Sequence, residues 1–418
     1  MMGMRTVGIV VEYNPFHNGH LYHLQQSLKI TEADAVVAVM SGHFLQRGEP
    51  ALADKWVRAE MALRGGCDLV IELPVAYATQ AAEWFAFGAV SLLDATGVVD
   101  SLCFGSEHGE IGILQRIART LAAEPSGFRK LVAEELAAGV SYPAGYGAAV
   151  RRYMEAAGDL EAAAYPLDQP NNTLGLHYVL ALERIGSRIR PYTLRREKAG
   201  YHERRFTDGQ IASATAIRRT LMESGSLQDV AAYLPQSTVE LLKKACDEGK
   251  APICWERFAE RLFHRLLASP AEELAELHEM TEGLEHRIKK ALPSLPSLDV
   301  EALLAALKTK RYTRTKLQRA LLAALLGHGK ELLAPARLRD GIGYIRVLGF
   351  SAKGRELLRR MRRSARLPVL LSAARPPADD PYLRLDTQAT AAYALAYRQP
   401  EPRDLFRDYY EQPIIVDR

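Results

Sequence analysis

Near its N-terminus the chain contains Val7-Gly8-Ile9-Val10-Val11, then Glu12-Tyr13-Asn14-Pro15-Phe16, then His17-Asn18-Gly19-His20. The apolar run predicts a buried parallel strand, and residues 21–29 predict the helix that follows it. Gly19 lets a ligand come close to the backbone, and a helix N-terminus attracts anionic oxygens. This stretch therefore predicts the first βα unit of a nucleotide-binding sheet, with a phosphate site at its mouth.

The two histidines of this turn, His17 and His20, are suited to phosphate chemistry. Imidazoles can donate hydrogen bonds to the charge that develops as a phosphate bridge breaks. The alternative is a pair of ordinary histidines near a helix start, one of them a cap. The strand before them, the glycine between them and the helix after them favour the phosphate interpretation.

Apolar strands and helical stretches alternate through the first 225 residues. Further strands are predicted at 35–40, 69–73, 101–104 and 190–194, and further helices near 55–64, 80–93, 111–122 and 172–185. This order predicts an α/β fold with a doubly wound, parallel, Rossmann-like sheet. Its ligand is expected at the carboxyl ends of the strands.

From residue 226 onward the pattern is mainly helical. Helices are predicted at 227–244, 255–267, 271–292, 299–308 and 315–326, and one short strand at 343–348. We therefore predict two domains, a nucleotide-binding catalytic domain at 1–225 and a mainly helical domain at 226–418.

The charge is distributed unevenly between the two halves of the chain. Residues 1–180 carry 12 Lys+Arg and 20 Asp+Glu, whereas residues 181–418 carry 42 and 30. A basic second half suggests a polyanion such as RNA as partner. Basic helical faces are also often only solvated, so the asymmetry by itself decides nothing.

The composition argues against several classes of protein. The chain has 418 residues, 48% of them hydrophobic, which is enough for large cores. It shows neither a secretory signal nor an apolar run long enough to span a membrane, so we expect a cytoplasmic protein. The four cysteines form no CxxC pair, which argues against a disulfide framework or a structural zinc.

Polar residues follow each predicted strand, at the edge where an open α/β sheet builds its site. The loop 41–50 carries Arg47, and Lys55 follows it; both cations can contact phosphate or carboxylate oxygens. At Glu72, near the end of the third strand, a structural ion pair with Arg47 or Lys55 competes with a catalytic role. At Gly105, the fourth strand allows the backbone to contact a nucleotide.

Two predicted helix starts lie further along the chain. Asn171 and Asn172 open one helix, so that one asparagine can cap it and the other can meet a ligand. Ser213, Thr215 and Arg218 open another, and their hydroxyls and guanidinium suit a triphosphate or departing pyrophosphate. An ordinary capped helix is the alternative at the second position.

These two helix-start motifs resemble the signatures of a known superfamily. His17-Asn18-Gly19-His20 is similar to the HIGH-type signature of the nucleotidylyltransferases. The segment 212–218 is similar to their second signature, Ile-Ser-Ser-Thr-x-Ile-Arg, but departs from it at Ala212 and Ala214, which removes one hydroxyl contact. The resemblance implies that the sheet is of the HUP type.

Longer stretches resemble one family of that superfamily, the bacterial tRNA(Met) cytidine acetate ligases. They are residues 10–20, 40–50, 104–107, 170–172, 310–314 and 347–350. The resemblance covers most of the chain, and the first of these stretches is highly specific.

The resemblance implies a ligase that works in two steps. Acetate and ATP give acetyl-adenylate and pyrophosphate. The exocyclic amine of the wobble cytidine of elongator tRNA(Met) then takes the acetyl group, giving N4-acetylcytidine. Mg²⁺ is expected on the phosphates through few or no protein ligands, so no residue is assigned as a metal ligand.

The resemblance, together with the helix-start motifs, also assigns the contacts to ATP. The assigned residues are Val7, Gly8, Ile9, Val10, Val11, Glu12, Tyr13, Asn14, Pro15, Phe16, His17, Asn18, Gly19, His20, Gly105, Asn171, Asn172, Arg196, Ser213 and Thr215. At Arg196 a register slip of one would select Arg195 instead. The predicted catalytic set is His17, His20, Arg218 and Lys55, because adenylate formation needs placement and charge stabilisation rather than a protein nucleophile.

Two basic stretches of the second half are candidates for RNA contact. Residues 308–319 hold six basic residues and no acid, and residues 353–363 hold six against one acid. The candidate tRNA contacts are Lys310, Arg311, Tyr312, Arg314, Lys316, Arg359 and Arg360. Tyr312 and Phe350 are expected to stack on unpaired bases. Two solvated amphipathic helices are the alternative.

Two other functions remain open at this point. A nucleotidylyltransferase acting on a small phosphorylated metabolite would use the same ATP site but would need no basic second half. A non-catalytic RNA-binding protein would keep a nucleotide only as a structural ligand, and its RNA function would survive loss of either histidine.

Overall fold

The computed structural model describes residues 4–196, 212–374, 376 and 379–417. The strands in these residues are β1 (Thr6–Val11), β2 (Ala35–Ser41), β3 (Leu69–Leu73), β4 (Ser101–Ser106), β5 (Arg190–Arg195), β6 (Ile345–Ser351), β7 (Val369–Leu370) and β8 (Ile414–Val416). All the predicted strands are present. The strands β7 and β8 have no counterpart in the prediction, because elements this short leave no periodic pattern.

The strands form one sheet in the order β5-β4-β1-β2-β3-β6-β7, with β8 also paired to β6. The first five strands run parallel, β6 is antiparallel to β3, and β7 and β8 are parallel to β6. Alternate residues of β2 enter apolar clusters on opposite faces, Val37 and Val39 on one and Val36 and Ala38 on the other. The predicted α/β class with a doubly wound sheet is therefore confirmed.

The helices before residue 225 connect the parallel strands and cover the sheet. They are α1 (Asn18–Thr31), α2 (Lys55–Gly65), α3 (Val75–Ala78), α4 (Ala82–Ala95), α5 (Ile111–Leu121), α6 (Ser126–Ala137), α7 (Tyr142–Ala156), α8 (Leu160–Ala163), α9 (Pro170–Ile185) and α10 (Ala214–Ser224). The sequence pattern predicted α1, α2, α4, α5 and α9 but not α6 and α7. The helix α6 buries only Phe128, so it has little apolar periodicity to detect.

The second half of the chain is mainly helical, as predicted. Its α-helices are α11 (Gln236–Asp247), α12 (Ala259–Ala268), α13 (Ala271–Ala275), α14 (Leu284–Ala291), α15 (Val300–Leu307), α16 (Arg314–Leu326), α17 (Pro335–Arg339), α18 (Ala352–Ser364), α19 (Pro381–Ala394) and α20 (Pro402–Leu405). No helix in the described parts of the chain is long and apolar enough to cross a membrane.

Two of the predicted helices in this half are broken. The stretch 271–292 forms α13 and α14, because Glu279, Glu282 and Gly283 have φ values of 63°, 60° and 79°, which an α-helix does not allow. The stretch 227–244 begins with short 3₁₀ turns, and α11 starts only after Pro235.

The sheet crosses the predicted boundary at residue 225. β6 pairs with β3 along its length, with Ile71 opposite Val347 and Glu72 opposite Arg346. The C-terminal strands therefore complete the sheet that β1 begins. The separate functions of 1–225 and 226–418 stay a prediction, but the two ranges share one sheet.

A buried ion-pair network joins β3 to the C-terminal segment. The ammonium of Lys55, at the start of α2, lies 2.8 and 2.9 Å from the carboxylate oxygens of Glu72 and 2.8 Å from Oδ1 of Asp408. All three side chains are almost inaccessible to solvent. Although burial lowers the pKa of Lys55, the carboxylates of Asp408 and Glu72 more than offset this and raise it above its usual value.

We expect Lys55→Met to destabilise the protein by about 3–5 kcal/mol, because it leaves the buried carboxylate of Glu72 without its cation and Asp408 with only Arg346, at 3.5 Å. The measurement is the free energy of unfolding from urea titration. The control is Lys243→Met, which removes an exposed pair with Asp247 and should leave the midpoint nearly unchanged. Equal shifts for the two variants would contradict the structural role of the network.

Candidate active site

A buried arginine forms hydrogen bonds at the carboxyl ends of both β1 and β2, where the site lies. Arg58, on α2, has no solvent exposure. Its guanidinium donates to the carbonyl oxygens of Glu12 at 2.5 Å, of Ser41 at 3.0 Å and of Gly42. Its Nε donates to the carbonyl of Ala53 at 3.0 Å. Arg58 is not among the residues predicted from the sequence; the available signal was a lone arginine within the apolar face of a predicted helix.

The turn after β1 is held from both sides. Tyr13 has a φ of 48°, and its ring centroid lies 4.9 Å from that of His20. Asn14 accepts a hydrogen bond from the N–H of Leu52 through Oδ1 at 2.7 Å. The carboxylate of Glu12 accepts one from the N–H of Gln46 at 2.7 Å. These contacts fix where α1 begins.

The two histidines of the HIGH-like motif stack on each other at that point. Their ring centroids lie 3.7 Å apart. Nδ1 of His17 accepts a hydrogen bond from the N–H of Gly19 at 3.0 Å, and Nδ1 of His20 accepts one from the N–H of His17 at 3.3 Å. A neutral ring that accepts at Nδ1 carries its proton on Nε2. His17 is therefore the N-cap of α1, as in the alternative interpretation, and it keeps an Nε2–H donor; its role in phosphate chemistry stays a prediction.

Both rings are kept neutral by their surroundings. Burial, with the charges of Arg196 and Arg218, lowers the pKa of His17 to about 4. Burial lowers the pKa of His20 well below its usual value, and His17, His23 and Arg196 add to this effect. The site thus presents uncharged N–H donors next to permanent positive charges.

Two arginines converge on the histidines from different elements. Arg218, on α10, donates to the carbonyl oxygen of Asn14 at 3.0 Å and lies 3.3 Å from the carboxylate of Glu49. Arg196 follows β5, and a Cβ on Gly105 would lie 2.9 Å from its Cγ. Gly105 therefore leaves room for the Arg196 side chain.

The register after β5 selects Arg196 over Arg195. The side chain of Arg195 packs against Gly109. A Cβ added to Gly109 would lie 2.8 Å from the Cβ of Arg195. The charge of Arg196 instead acts on His17, His20 and His23. Arg196 is thus the arginine that faces the histidines.

The other residues predicted to contact ATP differ in burial and in the contacts they make. Val7 and Ile9 are buried in the core, and a Cβ on Gly8 would lie 2.8 Å from Leu93, so these residues form the sheet interior rather than its edge. Ser213 caps α10 by accepting from the N–H of Ala216 at 3.2 Å. Thr215, in the first turn of α10, is exposed.

Asn171 and Asn172 serve the start of α9 together with Glu107. The carboxylate of Glu107 accepts from the backbone N–H groups of Asn171 at 3.2 Å and Asn172 at 2.8 Å, and from the Asn171 side chain at 2.6 Å. The Asn172 side chain is buried; it donates to the carbonyl of Pro166 and accepts from the N–H of His108. Neither asparagine is the N-cap, which is Gln169.

The structure does not bring Lys55 to the histidines. An ammonium has three donors, and all three of Lys55 are used by Glu72 and Asp408. The predicted role of Lys55 on the triphosphate is corrected to that of a buried counter-ion, and the ion pair foreseen for Glu72 is confirmed. Arg47 in the neighbouring loop is exposed.

The two rings predicted to stack on bases differ in exposure. Tyr312 is 8% exposed, and its hydroxyl donates to the carbonyl of Glu282 at 2.7 Å. Tyr312 therefore holds the fold together, and the prediction that it stacks on unpaired bases is wrong. Phe350 is half-buried in β6, opposite Leu69, and stacking at this ring stays a prediction.

The two basic stretches lie at opposite edges of the sheet. Lys353, Arg360 and Ser364 of α18 hydrogen-bond to the carbonyl oxygens of residues just before β2, β1 and β4, namely Asp34, Met4 and Thr96. Arg359 and Arg360 therefore belong to the amino-terminal edge, away from the histidines.

The stretch 308–319 instead adjoins the carboxyl-terminal edge. Gln318 of α16 donates to Glu49, the partner of Arg218, at 3.2 Å. Arg311 pairs with Glu282 at 2.7 Å, and Arg314 pairs with Glu301 at 2.6 Å. Lys310 is exposed, and the ammonium of Lys316 lies 5.5 Å from the ring centroid of Tyr312.

Within residues 4–196, 212–374 and 379–417, no group of three or more His, Cys, Asp or Glu side chains is arranged to hold a metal ion. The polar groups gathered near the histidines include the guanidinium groups of Arg196 and Arg218, with the carboxylate of Glu49 3.3 Å from Arg218. Such a set suits a polyanionic ligand rather than a metal bound directly by the protein.

Comparison with known proteins places the chain in a family. The model of the HIGH Nucleotidyl Transferase family matches residues 4–408. A tRNA(Met) cytidine acetate ligase of Caldanaerobacter subterraneus subsp. tengcongensis is 41% identical over 94% of this chain and 96% of its own length. The enzyme of that name from Halalkalibacterium halodurans is 40% identical over 99% and 98%.

A solved structure agrees over the whole chain. Thermotoga maritima TmcAL bound with alpha-thio ATP has a TM-score of 0.89 and 38% sequence identity, covering 99% of this chain and all of that one (100%). Its apo form gives a TM-score of 0.90. The sequence signatures, the mostly parallel sheet and the paired histidines agree with these relatives, and the chain belongs to the tRNA(Met) cytidine acetate ligase family of HIGH nucleotidyl transferases.

Proposed function

We propose that this protein is an ATP-dependent ligase that acetylates the exocyclic amine of the wobble cytidine of elongator tRNA(Met). The observation that carries the proposal is the stacked pair of neutral histidines at the start of α1, with Arg196 and Arg218 near enough for their charges to lower the pKa of His17. The names of the relatives supply the acceptor and the acyl donor.

In the first step the acetate carboxylate attacks the α-phosphorus of ATP, and pyrophosphate leaves. Nε2–H of His17 donates to the phosphate oxygens as charge develops on them, and His20, whose ring is hydrogen-bonded to the backbone of Pro15, donates once it exchanges that bond for one to phosphate. Arg218 and Arg196 neutralise the phosphates, while the N-terminus of α1 adds its favourable dipole. No protein nucleophile is needed, because the carboxylate itself attacks.

In the second step the cytidine amine attacks the acetyl carbonyl, and AMP leaves. A base in an anticodon loop is already unpaired, so the protein needs no device to open a duplex. Mg²⁺ is proposed to accompany the nucleotide on the triphosphate oxygens. We propose the cytoplasm as the site of action, since tRNA is the substrate.

Lys310, Arg311, Arg314 and Lys316 are the proposed tRNA contacts. They lie at the edge of the sheet that carries Arg218 and Glu49, so an RNA held there has its loop near the histidines. Arg359 and Arg360 lie across the sheet, and they are proposed only as contacts to a more distant part of the tRNA.

The first prediction of the proposed function concerns His20. We expect wild type to transfer labelled acetate into bulk tRNA when ATP and Mg²⁺ are present, and His20→Ala to lower the rate about a hundredfold or more, since a donor to the transition state is lost. The control is His286→Ala, at an exposed histidine on α14, which should keep the wild-type rate. If the wild-type protein transfers no labelled acetate into tRNA from any of several sources, the proposal is contradicted.

The second prediction concerns pH. His17 has a pKa lowered to about 4, so it is already neutral at pH 5.5 and stays neutral up to pH 8. The ratio of the wild-type rate to the His17→Asn rate should therefore be constant between pH 5.5 and 8. A ratio that falls near pH 6.5 as the pH is lowered would show that the ring gains its proton at the ordinary value.

The third prediction compares the two edges of the sheet. Lys310→Ala with Arg311→Ala should raise the KM for tRNA about tenfold and weaken its salt dependence, because phosphate contacts are lost. The matched pair, Arg359→Ala with Arg360→Ala, should change KM by about twofold or less. The reverse order would place the RNA on the amino-terminal edge. The KM for ATP serves as the control in both variants.

A further inference from the structure

One carboxylate connects the arginine proposed to bind phosphate to α16, the helix that carries two of the proposed tRNA contacts. Oε2 of Glu49 lies 3.3 Å from Nη2 of Arg218. Oε1 of Glu49 accepts a hydrogen bond from the side chain of Gln318, on α16, at 3.2 Å. Glu49 is part of the loop between β2 and α2, so three separate segments meet at this side chain.

The backbone next to Glu49 is packed tightly against α16. Gly48 has a φ of 74°, and a Cβ there would lie 2.5 Å from the backbone nitrogen of Arg319. The turn is closed by hydrogen bonds from the N–H of Gly48 to the carbonyl of Leu45 at 2.8 Å, and from the N–H of Leu45 to the carbonyl of Glu49 at 2.9 Å. A shift of α16 must therefore move Glu49 as well.

The carboxylate of Glu49 competes with phosphate for Arg218. One Nη of Arg218 is held by the carbonyl of Asn14, and the other faces Glu49. Both side chains of the ion pair are only partly accessible, at 23% and 27%. Phosphate oxygens need the same donors, and a nearby carboxylate repels them. A movement of the Glu49 carboxylate toward Gln318 therefore leaves Nη2 of Arg218 free to contact a phosphate oxygen.

We propose that Glu49 is a positioning residue that links tRNA binding at α16 to nucleotide binding at Arg218. RNA docking at 310–316 shifts α16, Glu49 follows Gln318, and Arg218 turns to the triphosphate. This inference rests on the proposed function. By thermodynamic reciprocity ATP strengthens tRNA binding by the same factor.

The test measures the Kd of ATP by calorimetry, with and without saturating bulk tRNA. Acetate is left out so that no adenylate forms. In wild type we expect tRNA to tighten ATP binding about fivefold. Glu49→Gln should bind ATP about fivefold tighter than wild type without tRNA, because the competing charge is gone. Gln318→Leu should keep the wild-type Kd without tRNA and lose the tRNA effect.

A matched control is Glu240→Gln, which alters an exposed glutamate that also accepts from a glutamine, Gln236. It should behave as wild type in both arms, and thermal midpoints check that every variant is folded. An unchanged Kd in Glu49→Gln would overturn the inference, as would a tRNA effect of wild-type size in Gln318→Leu or no tRNA effect in wild type. If one of these outcomes is found and the wild type still transfers acetate to tRNA, only the inference about Glu49 is overturned. If the wild type transfers no acetate, the proposed function itself is contradicted.

Discussion

The geometry of the site depends on the burial of one guanidinium. Arg58 satisfies carbonyl oxygens at the ends of β1 and β2 and of the loop before α2, groups that would otherwise be buried without donors. A planar fork with five fixed donors can do this, whereas a lysine can not. The ends of two strands are thereby locked at one spacing. The start of α1, and with it the histidine pair, takes its position from them.

The histidines at this edge are partly buried. His17, His20 and His23 all have a lowered pKa, for which burial is the leading cause. In such surroundings a hydrogen bond to a phosphate oxygen is stronger than it would be in water. Positive charge near the site comes from the guanidinium groups of Arg196 and Arg218, whereas burial keeps the histidines uncharged.

The sequence predicted the parallel strands and the HIGH-like turn because both depend on local periodicity and spacing. It offered Lys55 as one partner of Glu72, but it could not predict the second carboxylate, because Asp408 lies 353 residues away in the chain. Nor could it show that Tyr312 is buried, since an aromatic ring in a basic stretch suits RNA and a small core equally. The direction of α18 across the amino-terminal edge likewise comes from tertiary contacts, which leave no periodic signal.

The pairing of β6 with β3 also bears on how the chain is made. Until residue 351 has left the ribosome, β3 is an unpaired edge, and until Asp408 follows, Lys55 and Glu72 lack their third member. An exposed parallel edge invites pairing with other chains. The N-terminal half of the nascent chain therefore cannot complete its folding before the C-terminal segment is synthesised. During this interval on the ribosome, the unpaired edge of β3 is exposed to aggregation.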